Sequence, residues 1–139
     1  MSHAYYLGHV FNTQERRDHL RQIKAIIKKN KITAIVVTGV SGYVFGGIVS
    51  HICHIPLIVV RKTEKCHSSF AVEYSDELKK KDKQNIAFFD DLISSGATLE
   101  KVAGKLAKEE MTIKCAILYN DGISHYDKRG FDIPCYSTK

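Results

Sequence analysis

At 139 residues the chain has the length of one domain with a single core, and 44% hydrophobic with 26% charged residues excludes low-complexity and fibrous classes. No apolar run approaches the roughly 20 residues needed to cross a bilayer, and the start "MSHAYYLGHVFN" lacks a signal-peptide pattern, so a cytoplasmic protein without a membrane partner is expected. The net charge of +6 collects mainly in "KAIIKKNK" and "LKKKDK", the pattern of a solvated basic face that would also steer a small polyanion. The charge alone decides nothing, and with no aromatic-rich nucleic-acid motif no nucleic-acid partner is expected.

In chain order, residues 14 to 30 have the spacing of an amphipathic helix, with Leu20, Ile23 and Ile27 on one face and Asn12 or Thr13 as the cap. "ITAIVV" (32 to 37) is a continuous β-branched run, the pattern of a strand buried on both faces. A glycine-bearing break, "TGVSG", leads to a helix over 43 to 53. "PLIVV" (56 to 60) is a second buried strand, opened by proline. Residues 62 to 84 form a long polar connector, and long connectors in compact domains are often functional. "IAFF" (86 to 89) is a third strand. Leu99, Val102, Ala103, Leu106 and Ala107 mark a helix, and "IKCAILY" (113 to 119) is a fourth strand. From Asn120 the tail is read as short and turn-rich.

Strand and helix alternate, which predicts an α/β fold with a mainly parallel central sheet flanked by helices. Ligands of such sheets bind at the carboxyl ends of the strands, so three junctions stand out: 38 to 42, 61 to 70, and 90 to 98. The four cysteines, Cys53, Cys66, Cys115 and Cys135, include no CxxC pair, and reduced thiols are expected. His51 and His54 in "HICH" lack the spacing and further ligands of a metal site, so no protein-built metal site is expected.

The junction "FFDDLISSGATL" carries the most chemistry. Asp90 and Asp91 end a buried strand, and Ser94, Ser95, Gly96, Ala97 and Thr98 lead into a helix whose free amides and dipole favour an anion. A capping residue explains one acid and not two. Carboxylates beside a phosphate cradle repel the phosphate unless they face something else, and the vicinal hydroxyls of a sugar are what they would accept hydrogen bonds from. The stretch therefore reads as a receptor for a sugar phosphate. It is not a P-loop, because no Gly-Lys-Ser/Thr follows.

"IAFFDDLISSGATL" resembles the phosphoribosyl-pyrophosphate motif of the type I phosphoribosyltransferases over about 13 positions. The resemblance implies a Rossmann-like three-layer fold over one domain, 1 to 139. Its core would span about 32 to 119, with a small hood from the amino-terminal segment, from 120 to 139, or from both. It also implies that Asp90 and Asp91 hold the ribose hydroxyls, that Ser94 to Thr98 cradle the 5-phosphate, and that Thr38, Gly39, Val40, Ser41 and Gly42 bind pyrophosphate. "GVSGYVFG" looks most like the turn of the adenine enzymes, with Ser41 where those carry arginine. "RKTEKCH" resembles the catalytic loop of the orotate enzymes, which makes Arg61, Lys62, Lys65 and His67 the expected catalytic group around the leaving pyrophosphate; the match ends at His67, where "SSF" replaces a glycine-rich continuation. "KRGFDIPCY" loosely resembles the tail of the hypoxanthine-guanine enzymes, with Lys128 and Arg129 in place of their stacking aromatic.

By that resemblance the chain is expected to be a Mg²⁺-dependent phosphoribosyltransferase that moves the phosphoribosyl group from phosphoribosyl pyrophosphate to a nitrogenous base, and a homodimer. The base-binding residues are left open, with Tyr119, Tyr126 and Phe131 as candidate aromatics. The alternative is a regulatory protein that binds phosphoribosyl pyrophosphate or a nucleotide without turnover.

Overall fold

A computed structural model describes residues 7–61, 71–78, 84–120, 125–128 and 131–138. The candidate residues Lys62, Lys65 and His67, together with Cys66 and Arg129, lie outside the described residues, as does the side chain of Phe131.

After a short turn of helix, α1 (Gly8–Phe11), the chain enters α2 (Thr13–Lys29), capped by the Asn12 side chain, whose Oδ1 accepts from the Glu15 amide at 3.0 Å. The strands are β1 (Ala34–Val37), β2 (Leu57–Val60), β3 (Val72–Glu73), β4 (Ile86–Asp90), β5 (Ile113–Leu118), β6 (His125–Lys128) and β7 (Phe131–Ser137). They form one sheet in the order β3-β2-β1-β4-β5-β7-β6. The five inner strands are parallel, and the two edge strands, β3 and β6, run antiparallel to their neighbours. The expected mainly parallel α/β sheet is the architecture found.

Alternation along the strands feeds two apolar layers. Ala34, Val36, Ile86 and Phe88 point to one face, where they meet Leu99, Val102 and Leu106 of α4 (Ala97–Ala107). Ile35, Val37, Ala87 and Phe89 point to the other, against Leu20, Ile23 and Ile27 of α2 and Phe45 and Val49 of α3 (Gly39–Cys53). Helices thus cover both faces, and each fully buried phenylalanine contributes roughly 2–3 kcal/mol of apolar transfer. The segment before residue 30 is a layer of this core through α2.

Two stretches differ from their sequence reading. The tail is not a mere run of turns: β7 pairs with β5 (Ala116 opposite Cys135) and β6 folds back on β7. Its alternation of buried Ile133 and Cys135 with exposed Asp132 and Pro134 is that of a half-covered strand, and Pro134 lies opposite His125 in the antiparallel edge pair. The long connector likewise contains β3 and a single 3-10 turn at Asp76–Leu78, which seats Leu78 in the core. Strand β3 is held to β2 by the Arg61 amide donating to the Ala71 carbonyl at 2.9 Å.

Candidate functional site

Strand order reverses between β1 and β4: the chain steps outward from β1 to β2, then returns to lay β4 on the other side of β1. This is the place where a doubly wound sheet opens a crevice at its carboxyl edge. The segments that follow β1 and β4 face each other across it.

After β1 the chain goes straight into α3. Residues 39 to 42, expected as a break before the helix, are its first turn, with Thr38 extended as the cap position and Gly39 at φ 73°. Two glycines let this helix sit hard on the sheet. A Cβ at Gly42 would stand 3.1 Å from the Val37 Cβ, and one at Gly46 would stand 2.5 Å from the Val37 Cγ1. Gly42 is therefore a packing glycine, buried away from the crevice, while Val40 is 66% exposed. The buried Thr38 hydroxyl donates to the Val60 carbonyl at 2.7 Å and ties the ends of β1 and β2 together.

After β4 the chain wanders for six residues before α4 begins. Asp90 is the last residue of the strand and is buried, whereas Asp91 is half-buried. The Asp90 Oδ1 accepts from the Ser41 hydroxyl at 2.8 Å and from the Asp91 amide at 2.9 Å, so one hydrogen bond bridges the two segments. Burial, and secondarily the neighbouring Asp91 charge, pushes the Asp90 carboxyl up to about 6 against the opposing pull of those hydrogen bonds. The Asp91 Oδ1 accepts from the Leu92 amide at 2.8 Å. Gly96, at φ 85°, caps α4 without a side chain, and Ser95 Oγ accepts from the Ala97 amide at 3.3 Å.

These residues line one open pocket of about 180 Å³ that includes Ser41, Asp90, Asp91 and residues 94 to 98. Next to it, Thr38, Arg61 and Thr98 line a second pocket of about 120 Å³ with Lys101 and Lys105 of α4. Residues of the first and third junctions, and Arg61 of the second, thus line two adjoining pockets. Thr98 belongs to both pockets. Chemically, the first pocket offers two carboxylates beside a helix amino terminus, and the second offers cations and hydroxyls.

Arg61 is braced. Its Nη2 donates to the Glu73 carboxylate at 3.0 Å, and its carbonyl accepts from Lys105 Nζ at 2.7 Å. Tyr74 adds a second tie from the far side of the 62–70 segment, donating to Glu109, in the turn just after α4, at 3.0 Å. Lys101 and Lys105 escaped the sequence reading. Their spacing of four residues on the helix that follows "SSGAT" was the available signal.

Two of the candidate base aromatics, Tyr119 and Tyr126, are packed as supports. Tyr119 is fully buried among Phe45 and Phe89, and its hydroxyl donates to the Ser41 carbonyl at 2.7 Å. Burial, followed by the charges of Asp91 and Asp90, raises its phenol above the usual range. Tyr126 is buried against Gly96 and donates to the Glu100 carboxylate at 3.1 Å. His19, unremarked in the sequence, sits on the buried face of α2; its Nδ1 shares a 2.6 Å hydrogen bond with the Thr138 hydroxyl and its ring edge meets Phe45 and Tyr119. Its position four residues before Ile23 was the clue. Among the described residues no group of three or more His, Cys, Asp or Glu could hold a metal, and no helix is long and apolar enough to cross a membrane.

Comparison with known proteins bears on this geometry. The family model described as phosphoribosyl transferase domain matches residues 9–138. An adenine phosphoribosyltransferase of Actinobacillus pleuropneumoniae is 30% identical over 92 residues, which cover 58% of this chain and 51% of that enzyme. The chain thus spans about half the length of the curated relatives it matches first. Among solved structures, adenine phosphoribosyltransferase from Saccharomyces cerevisiae, complexed with an imino-altritol bisphosphate and adenine, superposes with a TM-score of 0.71 at 16% identity, over 92% of this chain and 80% of that one. Orotate phosphoribosyltransferase from Aeropyrum pernix gives 0.67 at 14% identity, over 93% and 73%. At these identities the structural likeness speaks for the fold.

Proposed function

Since the chain belongs to the phosphoribosyl transferase domain family, we propose that it transfers the 5-phosphoribosyl group of phosphoribosyl pyrophosphate to a nitrogenous base and releases pyrophosphate. The observation that carries the reading is the Ser41–Asp90 hydrogen bond at 2.8 Å, which joins the segment after β1 to the segment after β4 across the crevice. A sugar phosphate with a second phosphate arm needs two receptors held at a fixed separation, and this bond supports one.

In this reading Asp90 and Asp91 accept hydrogen bonds from the ribose hydroxyls, and residues Ser94 to Thr98 receive the 5-phosphate at the amino end of α4. At the start of α3, Thr38 to Ser41 face the pyrophosphate, and Gly42 seats that turn on Val37. As the bond from ribose C1 to pyrophosphate lengthens, positive charge grows on the sugar ring and negative charge on the leaving group. Arg61, Lys62, Lys65 and His67 are the cations for that leaving group. Arg61 enters this role already fixed by Glu73 and Lys105. Hard oxygen donors suit Mg²⁺, and Asp90 and Asp91 are the carboxylates that would hold it, directly or through water. When bound, the ion neutralises part of the pyrophosphate charge.

Adenine is the first base to test, because the relatives matched by sequence are adenine phosphoribosyltransferases. With Tyr119 and Tyr126 engaged in packing, the base cover would come from the short segment before α2 and from residues 120 to 139. A cytoplasmic homodimer is the accompanying expectation.

A second reading, a regulator that binds the same sugar phosphate without turnover, draws on Ser41. Where the adenine enzymes' turn carries a cation, this chain has a hydroxyl spent on Asp90. One experiment separates the two: pyrophosphate release from phosphoribosyl pyrophosphate with Mg²⁺ across purines, pyrimidines and nicotinate-type acceptors, alongside a calorimetric titration. Release with one acceptor establishes the transferase. Binding without release for every acceptor establishes the regulator, and neither binding nor release overturns both.

A further inference from the structure

We propose that Tyr126, from the carboxyl-terminal β6–β7 hairpin, is a positioning residue for the turn 94 to 98. This rests on the reading of that turn as the 5-phosphate receptor. Tyr126 lies directly beneath the cap of α4: a Cβ built at Gly96 would fall 1.9 Å from the tyrosine hydroxyl and 2.3 Å from its ring. Gly96 is therefore fixed twice, by its φ of 85° and by the ring against it. The same hydroxyl donates to Glu100 Oε1 at 3.1 Å, and Glu100 is the acid in the first turn of α4.

The placement matters because a carboxylate in the first turn satisfies the same helix dipole that a bound phosphate would use. Left to swing, it would compete for the amides of that turn and repel the incoming dianion. Held by Tyr126, it is turned toward the hairpin. The hairpin reaches this position through β7, which pairs with β5, itself the neighbour of β4 and Asp90. Both ends of the sugar-phosphate receptor are thereby hung from one set of strands, and a tail residue helps to set the phosphate end.

The test uses Tyr126→Phe, which keeps the ring and removes the hydroxyl, and the double variant Tyr126→Phe with Glu100→Gln. With ribose 5-phosphate as the probe, Tyr126→Phe weakens calorimetric affinity about fivefold to tenfold, and adding Glu100→Gln restores it to within about twofold of the parent, because the loose charge is gone. An unchanged affinity in Tyr126→Phe overturns the proposal, as does a double variant no tighter than the single one. Backbone amide exchange of residues 95 to 98 without ligand is read in parallel and should quicken in Tyr126→Phe; unchanged exchange also overturns it. If the parent protein binds no ribose 5-phosphate, the sugar-phosphate reading falls, and the exchange result alone decides whether Tyr126 holds the turn.

Discussion

The two segments that face each other across the crevice are built by opposite means. The one after β1 is held from inside: glycines at 42 and 46 seat α3 on Val37, and the buried Tyr119 hydroxyl takes hold of the Ser41 carbonyl. The one after β4 is an excursion of six residues with exposed Ser94 and Ser95, and its support comes from Tyr126, some thirty residues further along the chain. The first segment is welded to the sheet along its length. The second anchors Ile93 in the core, lifts Ser94 and Ser95 into solvent, and rests Gly96 on Tyr126.

The harshest way to break this division is to remove charge from the open side. Asp90→Asn with Asp91→Asn should lower sugar-phosphate affinity at least about a hundredfold, roughly 3 kcal/mol, while far-ultraviolet dichroism stays unchanged. Unaltered affinity in a titration would end the assignment of these acids to the ribose.

Asp90 alone sharpens the comparison through pH. Its folded value of about 6 exceeds the ordinary 3.8, so the native state binds the proton more readily and stability declines as pH rises from about 4 through 6. Above pH 7 the full cost is present, at most roughly 3 kcal/mol for a shift of this size. Asp90→Asn should therefore raise the denaturation midpoint at pH 8 and have little effect near pH 4. Urea titrations at the two pH values check this, and an equal effect at both would contradict it.

On the welded side, Gly46→Val should cost about 1–3 kcal/mol of overpacking against the Val37 side chain. Val37→Ala in that background should return part of the loss, which a thermal melt of the double variant would reveal. Smallest of all, Tyr119→Phe should cost about 1 kcal/mol for the lost bond to Ser41, a drop of about 4 °C in Tm. Its amide-exchange footprint should centre on the first turn of α3 and spare 94 to 98.

Much of this was legible in the amino acids because burial on two faces leaves an uninterrupted apolar run. "ITAIVV" and "IAFF" became β1 and β4 with ends off by a residue or two. The paired acids were legible for a different reason: two adjacent carboxylates after a buried strand exceed what capping requires. The tail was not legible. Its strand β7 carries Pro134, a residue that reads against a strand, and its partner β5 lies well back in sequence, so the pairing is visible only once the sheet exists. The same holds for the two tyrosines. An aromatic in a strand pattern announces burial, but not that its hydroxyl will find Ser41 or Glu100. Lys101 and Lys105 face the site because α4 is rotated to bury Leu99, Val102 and Leu106, and that rotation was present in the periodicity.

The bond between His19 and Thr138 spans a separation of 119 residues, and Gln22 reaches the Thr138 carbonyl at 3.1 Å nearby. Its consequence concerns the order of events during synthesis. Helix α2 is therefore made 119 residues before the partner of its buried imidazole. Until then His19 faces an unfinished sheet edge, and β5 waits with one side unpaired for β7. The domain can gather its first strands as they emerge, but it latches only when β7 and Thr138 arrive.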